Sequence, residues 1–196
     1  MEGSRGLGDV YKRQVQECRR QWEREGRSYS YADLAELAAR APAFTAVINP
    51  DDERFMTPGD MPARIRAYCR ETGQAVPEDL GAIVRLALEA LALKYRYVLD
   101  ALEGLFKRRL GRIHIVGGGI QNQLLCQFTA DATQRPVIAG PVEATAIGNL
   151  MVQALGLGEV GSMDEARQVV RNSFKPTYYA PRPGQDWDAA YEHLCK

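Results

Sequence analysis

The sequence predicts an α/β fold that is rich in helix, and three observations support this. Two short apolar segments, 113–116 and 135–140, have the β-branched content of strands, and each runs into a glycine-containing turn and then a helical pattern. Elsewhere apolar residues recur every three or four positions, and the longest such stretch covers about residues 77–105. A length of 196 residues is enough for one domain with a full hydrophobic core.

The first fourteen residues differ in character from those that follow. They are polar, rich in glycine and arginine, and carry no apolar period. A secretory signal would need an apolar central segment, so we interpret residues 1–14 as a non-native tail and the natural protein as longer. From Val15 to about Arg24 the helical spacing of apolar residues predicts a helix, and Gln16 lies on it.

Two patterns follow before residue 50. Ser30 with Asp33 three residues later has the form of a capping box and predicts a helix through Ala38. Residues 44–50 are apolar and β-branched up to an Asn-Pro break, which predicts a short strand or an extended segment.

The acidic triplet 51–53 predicts a solvated loop, which we favour over a cation site. After it, Thr57 predicts a helix N-cap, with Pro58 at the first helical position and Asp60 at the positive end of the helix. We expect this helix to end near 72–73, at Thr-Gly.

Pro77 or Glu78 is predicted to open the longest helix of the chain. Apolar side chains lie along one of its faces at steps of three or four, and further apolar residues lie on the other faces, so we expect it to pack between layers. The residues of the main face are Leu80, Val84, Ala87, Leu91, Tyr95, Val98, Leu102 and Leu105.

Three successive glycines, Gly117 to Gly119, follow the strand at 113–116 and precede a helix that begins near Gln121. Glycine adopts backbone angles that are closed to other residues and leaves no side chain in the way, so a flat ligand or a phosphate can approach the main chain there. A simple tight turn explains the local pattern equally well. The dinucleotide fingerprint would need a further glycine at or near Asn122, and no Gly-Lys-Ser/Thr follows, so neither common nucleotide motif fits.

The rest of the chain predicts a helix through Phe128, the strand at 135–140 and a helix from about Pro141 to Gly156. Ala144 and Gly148 lie four residues apart on that last helix and predict close packing against a neighbour. Ser162 with Glu165 predicts a second capping box that opens a surface helix. After 176 we expect a loop, and then a short helix around 187–194.

Composition disfavours several functional classes. With 25 basic and 25 acidic residues, the net charge of zero gives no reason to expect a nucleic-acid partner or an anionic membrane surface. No apolar run approaches the roughly 20 residues that span a bilayer. The four cysteines lie far apart and only two histidines are present, so we expect no metal site and interpret the cysteines as reduced thiols of a cytoplasmic protein.

Taken together, these segments resemble the C-terminal half of the FGGY family of sugar kinases, over essentially residues 15–196. The glycine motif alone indicates only the wider family, whereas 69–74 and 137–144 favour the branch that phosphorylates L-rhamnulose. The segments that carry the likeness are Val47-Ile48-Asn49-Pro50 with Arg54-Phe55, residues 61–74, Ile113 to Asn122 and Arg135 to Asn149.

The resemblance implies an actin-like ATPase fold of two ribonuclease H-like domains, with this chain as the C-terminal, adenosine-binding domain, incomplete at its start. It also implies that ATP, with Mg²⁺, donates its γ-phosphoryl group to L-rhamnulose, giving L-rhamnulose 1-phosphate in rhamnose catabolism. By position, it assigns nucleotide contacts to Gln16, Gly117, Gly118, Gly119 and Asn122.

The same resemblance implies that essential parts lie outside this chain. The family's first phosphate loop and its catalytic aspartate, the general base for the sugar hydroxyl, have no counterpart here. We therefore expect no catalytic residue in this chain, no kinase activity from it alone, and open strand edges that make it prone to associate. The alternatives are a kinase for another sugar, such as L-fuculose or L-xylulose, and a non-catalytic nucleotide-binding or interaction module.

Overall fold

The structure is a computed structural model that describes residues 7–184 and 186–196, with side chains described from Arg13 onward. It is rich in helix and contains one small sheet, as predicted. The helices are α1 (Leu7–Arg24), α2 (Tyr31–Arg40), α3 (Met61–Glu71), α4 (Leu80–Phe106), α5 (Gln123–Thr133), α6 (Ala144–Gly156), α7 (Met163–Ser173) and α8 (Trp187–Leu194), with short 3₁₀ turns at Glu53–Phe55 and Gly117–Gln121.

Three short strands form the sheet, in the order β1 (Ile113–Ile115), β2 (Val137–Ala139) and β3 (Thr177–Tyr179). β1 and β2 are parallel, whereas β3 runs antiparallel to β2. The prediction of a loop after 176 was wrong over these three residues. Their pairing with β2 is a tertiary contact, which a three-residue pattern beside a proline does not reveal.

Helix α4 is the centre of the main core, and the prediction that it packs between layers is confirmed for its first half. Every residue from Gly81 to Leu93 is buried, and α4 packs against α1, α2, α5 and α8. A Cβ atom at Gly81 would lie 2.6 Å from the Leu37 carbonyl oxygen, so only glycine permits the observed approach of α2. The predicted apolar face does not continue to the end, because Leu105 is 74% exposed.

A buried ion pair ties α4 to the elements around it. Arg85 Nε donates to Glu89 Oε1 at 2.7 Å, and both side chains are almost fully buried. Arg85 also donates to the Ala38 carbonyl at the end of α2 and lies over the Phe128 ring of α5, while the Phe44 backbone N–H donates to Glu89. The pair therefore joins α2, α4, α5 and the segment after α2.

Residues 44–50 form no strand. The backbone N–H of Val47 donates to Gln74 Oε1 at 2.7 Å, and Gln74 Nε2 donates to the Val47 carbonyl at 2.9 Å. A side-chain amide thus makes both hydrogen bonds that a neighbouring strand would make. Ala46 and Ile48 point into the main core, which explains the apolar pattern of this segment.

The predicted start of α3 was wrong by three residues. Asp60, not Thr57, is the N-cap, and its side chain accepts from the Ala63 N–H at 2.9 Å. The carbonyls of Thr57 and Pro58 instead accept from the Arg64 guanidinium. These hydrogen bonds hold the preceding residues as a loop, which the proline at 58 does not predict.

Several predicted helix boundaries are confirmed, and others move slightly. Ser30 and Asp33 form the predicted capping box. α4 begins at Leu80 with Asp79 as its cap, two residues after the predicted opening at Glu78. Ser162 caps α7 as predicted, although the Glu165 side chain accepts from the Gly161 N–H and not from the cap residue.

Within the described part of the chain, residues 7–14 form the first turns of α1, and the Gln14 side chain is buried and donates to the Pro50 carbonyl. That residues 1–14 are a non-native tail stays a prediction.

Helix α6 corrects the prediction of close packing at Ala144 and Gly148. None of its residues is buried, and a Cβ atom at Gly148 would meet nothing within 4 Å. Leu150 and Val152 are 60% and 58% exposed. Leu150 and Val152 thus lie on an open, apolar surface of α6, which we call the open face. Separately, the strand order leaves β1 at an edge of the sheet.

We expect the isolated chain to self-associate through the open face, because uncovered apolar surface and an unpaired strand edge both favour contact between copies. The double variant Leu150→Glu, Val152→Glu should shift it toward the monomer in light scattering at matched concentrations. Arg70→Glu, at an exposed position on α3 that does not line the groove beside α6, is a control for added negative charge. A wild-type chain that is monomeric at high concentration contradicts this prediction.

Burial raises the pKa of Glu89 to about 6, with the Arg85 guanidinium opposing part of that rise. The folded state then holds the Glu89 proton more tightly than the unfolded state, in which the carboxyl has its ordinary pKa of 4.5. Stability from this group is therefore present at low pH and is lost as the pH rises through about 6. At about 1.4 kcal/mol per pKa unit, the loss is on the order of 2 kcal/mol.

Urea unfolding of wild type and Glu89→Gln between pH 4 and 7 measures this. The difference in unfolding free energy should change across this interval, with the wild type losing stability relative to the variant as the pH rises. A constant difference would show that Glu89 titrates normally.

Candidate functional site

The candidate site is the turn between β1 and α5. β1 ends after Ile115, residues Gly117–Gln121 form a 3₁₀ turn, and α5 follows. Gly117 has a φ of +74°, which favours glycine, and its N–H donates to the Pro141 carbonyl at 3.0 Å. The sequence prediction of a strand that runs into a glycine turn and a helix is confirmed.

The middle glycine faces open space. Gly118 is exposed, and a Cβ atom built on it would meet no heavy atom within 4 Å. Its φ lies outside the left-handed region, so a larger residue fits there without backbone strain. Neither conformation nor packing inside the described fold therefore requires glycine at 118, whereas Gly117 is required by its backbone angle.

Asn122 closes the turn and starts the next helix. Its Oδ1 accepts from the Leu125 N–H at 3.0 Å, so it is the N-cap of α5. Its side-chain nitrogen has no hydrogen-bond partner among the described residues, and the side chain is partly exposed. The cap thus fixes the amide in place and leaves its donor group available.

A second turn lies beside the glycine turn, and sequence reasoning missed it as part of the site. β1 and β2 are parallel with Ile115 opposite Ala139, so the turns that follow them leave the same edge of the sheet. Ligands of open parallel sheets bind at this carboxyl edge. The available signal was the Gly-Pro at 140–141, which follows β2 as the triple glycine follows β1.

Gln16 lies elsewhere, on α1, which packs against α3 and α4. It is partly exposed and makes no side-chain hydrogen bond within the described part of the chain. The structure brings Gly117, Gly118, Gly119 and Asn122 together in one turn, and no hydrogen bond joins Gln16 to them.

No metal centre is formed by the described residues. Among residues 13–184 and 186–196, no group of three or more His, Cys, Asp or Glu side chains is arranged to hold an ion. Cys18, Cys69 and Cys126 are buried and unpaired, and burial raises the pKa of the Cys126 thiol to about 11. Such thiols are protonated at neutral pH and are poor nucleophiles.

A groove of about 870 Å³ runs along the sheet face that is turned toward α6 and α7. Its floor is largely apolar, and its lining includes Gly140 and Pro141 but none of the three glycines of the turn. The volume of this groove is sufficient for a small-molecule ligand. We place the candidate site at the turn, because α6 is uncovered beside the groove and its apolar lining matches the rest of the open face.

No helix in the described part of the chain is long and apolar enough to cross a membrane.

Comparison with known families gives a match over most of the chain. Residues 1–157 match the FGGY family of carbohydrate kinases, C-terminal domain. Rhamnulokinase from Bacteroides thetaiotaomicron is 46% identical over 180 residues, which are 92% of this chain and 36% of that protein. Rhamnulokinase from Enterococcus faecalis is 44% identical over 157 residues, which are 79% of this chain and 32% of that protein. The chain thus spans about a third of the length of these relatives.

Solved structures show the same fold at lower identity. Xylulose kinase from Rhodospirillum rubrum superposes with a TM-score of 0.63 at 21% identity, covering 96% of this chain and 36% of that one. Plasmodium falciparum glycerol kinase with ADP gives 0.62 at 15% identity, covering 94% and 35%. At these identities the likeness establishes the fold alone, the C-terminal domain of an actin-like ATPase.

Proposed function

Because this chain belongs to the FGGY family of carbohydrate kinases, we propose that it is the nucleotide-binding part of a kinase that phosphorylates L-rhamnulose. The kinase would move the γ-phosphoryl group of ATP to a hydroxyl of the sugar and form L-rhamnulose 1-phosphate. The observation that carries the choice of sugar is the 46% identity to a rhamnulokinase over 92% of this chain. The relatives are metabolic enzymes, and we propose a cytoplasmic location.

The glycine turn supports the nucleotide part of this proposal. An adenine ring is flat, and the open space over Gly118 lets such a ring lie against the main chain. Asn122 has a fixed amide with a free donor, which suits a base that presents acceptor nitrogens. Gln16 is uncommitted and partly exposed, so it too could donate or accept, from a separate part of the fold.

ATP supplies the phosphoryl group when bound, and this chain's residues bind and orient it. Mg²⁺ would accompany the phosphates, but the described residues offer no cluster that fits it. We therefore assign the metal, the general base and the sugar pocket to the rest of the kinase. Phosphoryl transfer needs the nucleophile positioned and the phosphate charge neutralised, and the turn at 117–122 does neither.

Gly118→Val should weaken ADP binding at least tenfold, because the branched side chain fills the space above the turn. The fold should survive, since nothing packs on Gly118 and its backbone angle is not left-handed. Isothermal titration with ADP beside a thermal melt measures both quantities. Gly104→Val, on α4 with nothing within 4 Å, is the matched control and should bind as wild type. If Gly118→Val binds ADP with unchanged affinity, the glycine turn does not contact the nucleotide and has only a structural role.

The 196-residue chain should release no ADP above background when mixed with L-rhamnulose and Mg-ATP. The groups that organise the transition state are assigned to the rest of the kinase. A coupled assay measures ADP release by the chain, and the full-length Bacteroides thetaiotaomicron enzyme, assayed in the same way, serves as the positive control. Turnover near that of the full-length enzyme would contradict this assignment of roles. A chain that binds nucleotide but gives no activity when the rest of the kinase is restored would favour the non-catalytic module. L-Fuculose and L-xylulose, offered to the restored kinase, test the alternative sugars.

A further inference from the structure

The turn after β2 is held directly against the glycine turn. The Gly117 N–H donates to the Pro141 carbonyl at 3.0 Å. A Cβ atom at Gly117 would lie 3.8 Å from the Val142 carbonyl oxygen. Residues 140–143 are therefore the immediate neighbours of the candidate nucleotide site on the β2 side.

This second turn is held at its start. The Gly140 N–H donates to the Ile115 carbonyl at 2.9 Å, so β1 holds the turn before it begins. Gly140 has a φ of +130°, and a Cβ atom there would lie 3.5 Å from Pro176 Cα. At the other end α6 begins at Ala144. A turn that is anchored in this way presents its side chains in a defined place.

Glu143 is the polar side chain of this turn, and nothing in the described part of the chain uses it. It occupies the N-cap position of α6, yet its side chain accepts no backbone hydrogen bond there. It makes no ion pair with any described residue and is exposed. One residue, Val142, separates it from Pro141, so its Cα is within about 8 Å of the Cα of the residue that accepts from Gly117.

We propose that residues 140–143 form the second wall of the nucleotide site and that the Glu143 carboxylate accepts hydrogen bonds from the ribose hydroxyls of the bound nucleotide. This inference rests on the proposed function. A ribose offers two adjacent O–H donors, and a carboxylate offers two acceptor oxygens, as in the acidic residue that binds ribose in dinucleotide folds. The phosphates would be repelled by the carboxylate, and the base is met by the glycine turn and Asn122.

Titration of ADP and 2′,3′-dideoxy-ADP into the 196-residue chain tests the proposal. Glu143→Ala should weaken ADP binding about tenfold, a typical effect of a lost hydrogen bond to a charged group. The affinity for the dideoxy nucleotide should stay the same in both proteins, since it lacks the two donors. Glu159→Ala, at another exposed glutamate just after α6, should bind both nucleotides as wild type. A thermal melt establishes that each variant is folded.

Titration of inosine diphosphate distinguishes a contact of Glu143 with the ribose from a contact with the base. If Glu143→Ala reduces the preference for ADP over inosine diphosphate and leaves the ribose preference intact, the carboxylate contacts the base and the proposal is overturned. Equal ADP affinity in Glu143→Ala and wild type, with Gly118→Val still impaired, overturns this inference alone. A wild-type chain that binds no nucleotide overturns the proposed nucleotide role as well.

Discussion

The buried pair of Arg85 and Glu89 is the interaction on which the arrangement of helices depends. A charged pair inside a core is expensive to desolvate, and it persists only where further hydrogen bonds satisfy both partners. Here the end of α2 and the backbone at Phe44 supply them, and Phe128 covers the guanidinium. Removing one partner would leave the other buried and unpaired, at a typical cost of about 3–5 kcal/mol. The pair therefore specifies which helices surround α4 more than it contributes net stability.

Packing is uneven across the molecule, and the candidate site lies where it changes. The main core is built around α4, whereas a second, smaller cluster consists of Cys126, Ala130, Val137 and Ala139 with the partly buried side chains packed on them. Helix α5 takes part in both, through Phe128 and Cys126. The glycine turn is thus followed by a well-packed helix, α5, and preceded by β1, which is an edge strand of the sheet.

Local chemistry in the sequence predicted the elements whose ends are determined locally. The capping box at Ser30, the long helix and the order of strand, glycine turn and helix all depend on near neighbours in the chain. The errors came where distant residues decide. β3 forms only because it pairs with β2, about 40 residues earlier, and the loop at 57–58 depends on a side-chain bond from Arg64 that no local motif indicates. The same limit applies to the candidate site. The turn at 140–143 comes to lie beside the glycine turn only through the parallel register of two strands. Gln16 was assigned by family resemblance alone.

The amide of Gln74 has a consequence for how residue 74 can vary. It donates to and accepts from the same backbone residue, Val47, across 27 positions of sequence. A carboxylate of the same length would accept the N–H but could not donate to the carbonyl, and an asparagine side chain is one methylene shorter. Among the twenty amino acids, glutamine alone combines the required reach with both functions. In homologues of this domain, replacement of the glutamine at 74 should therefore be accompanied by a different backbone path at 46–48. Where that path is kept, the glutamine should be kept as well.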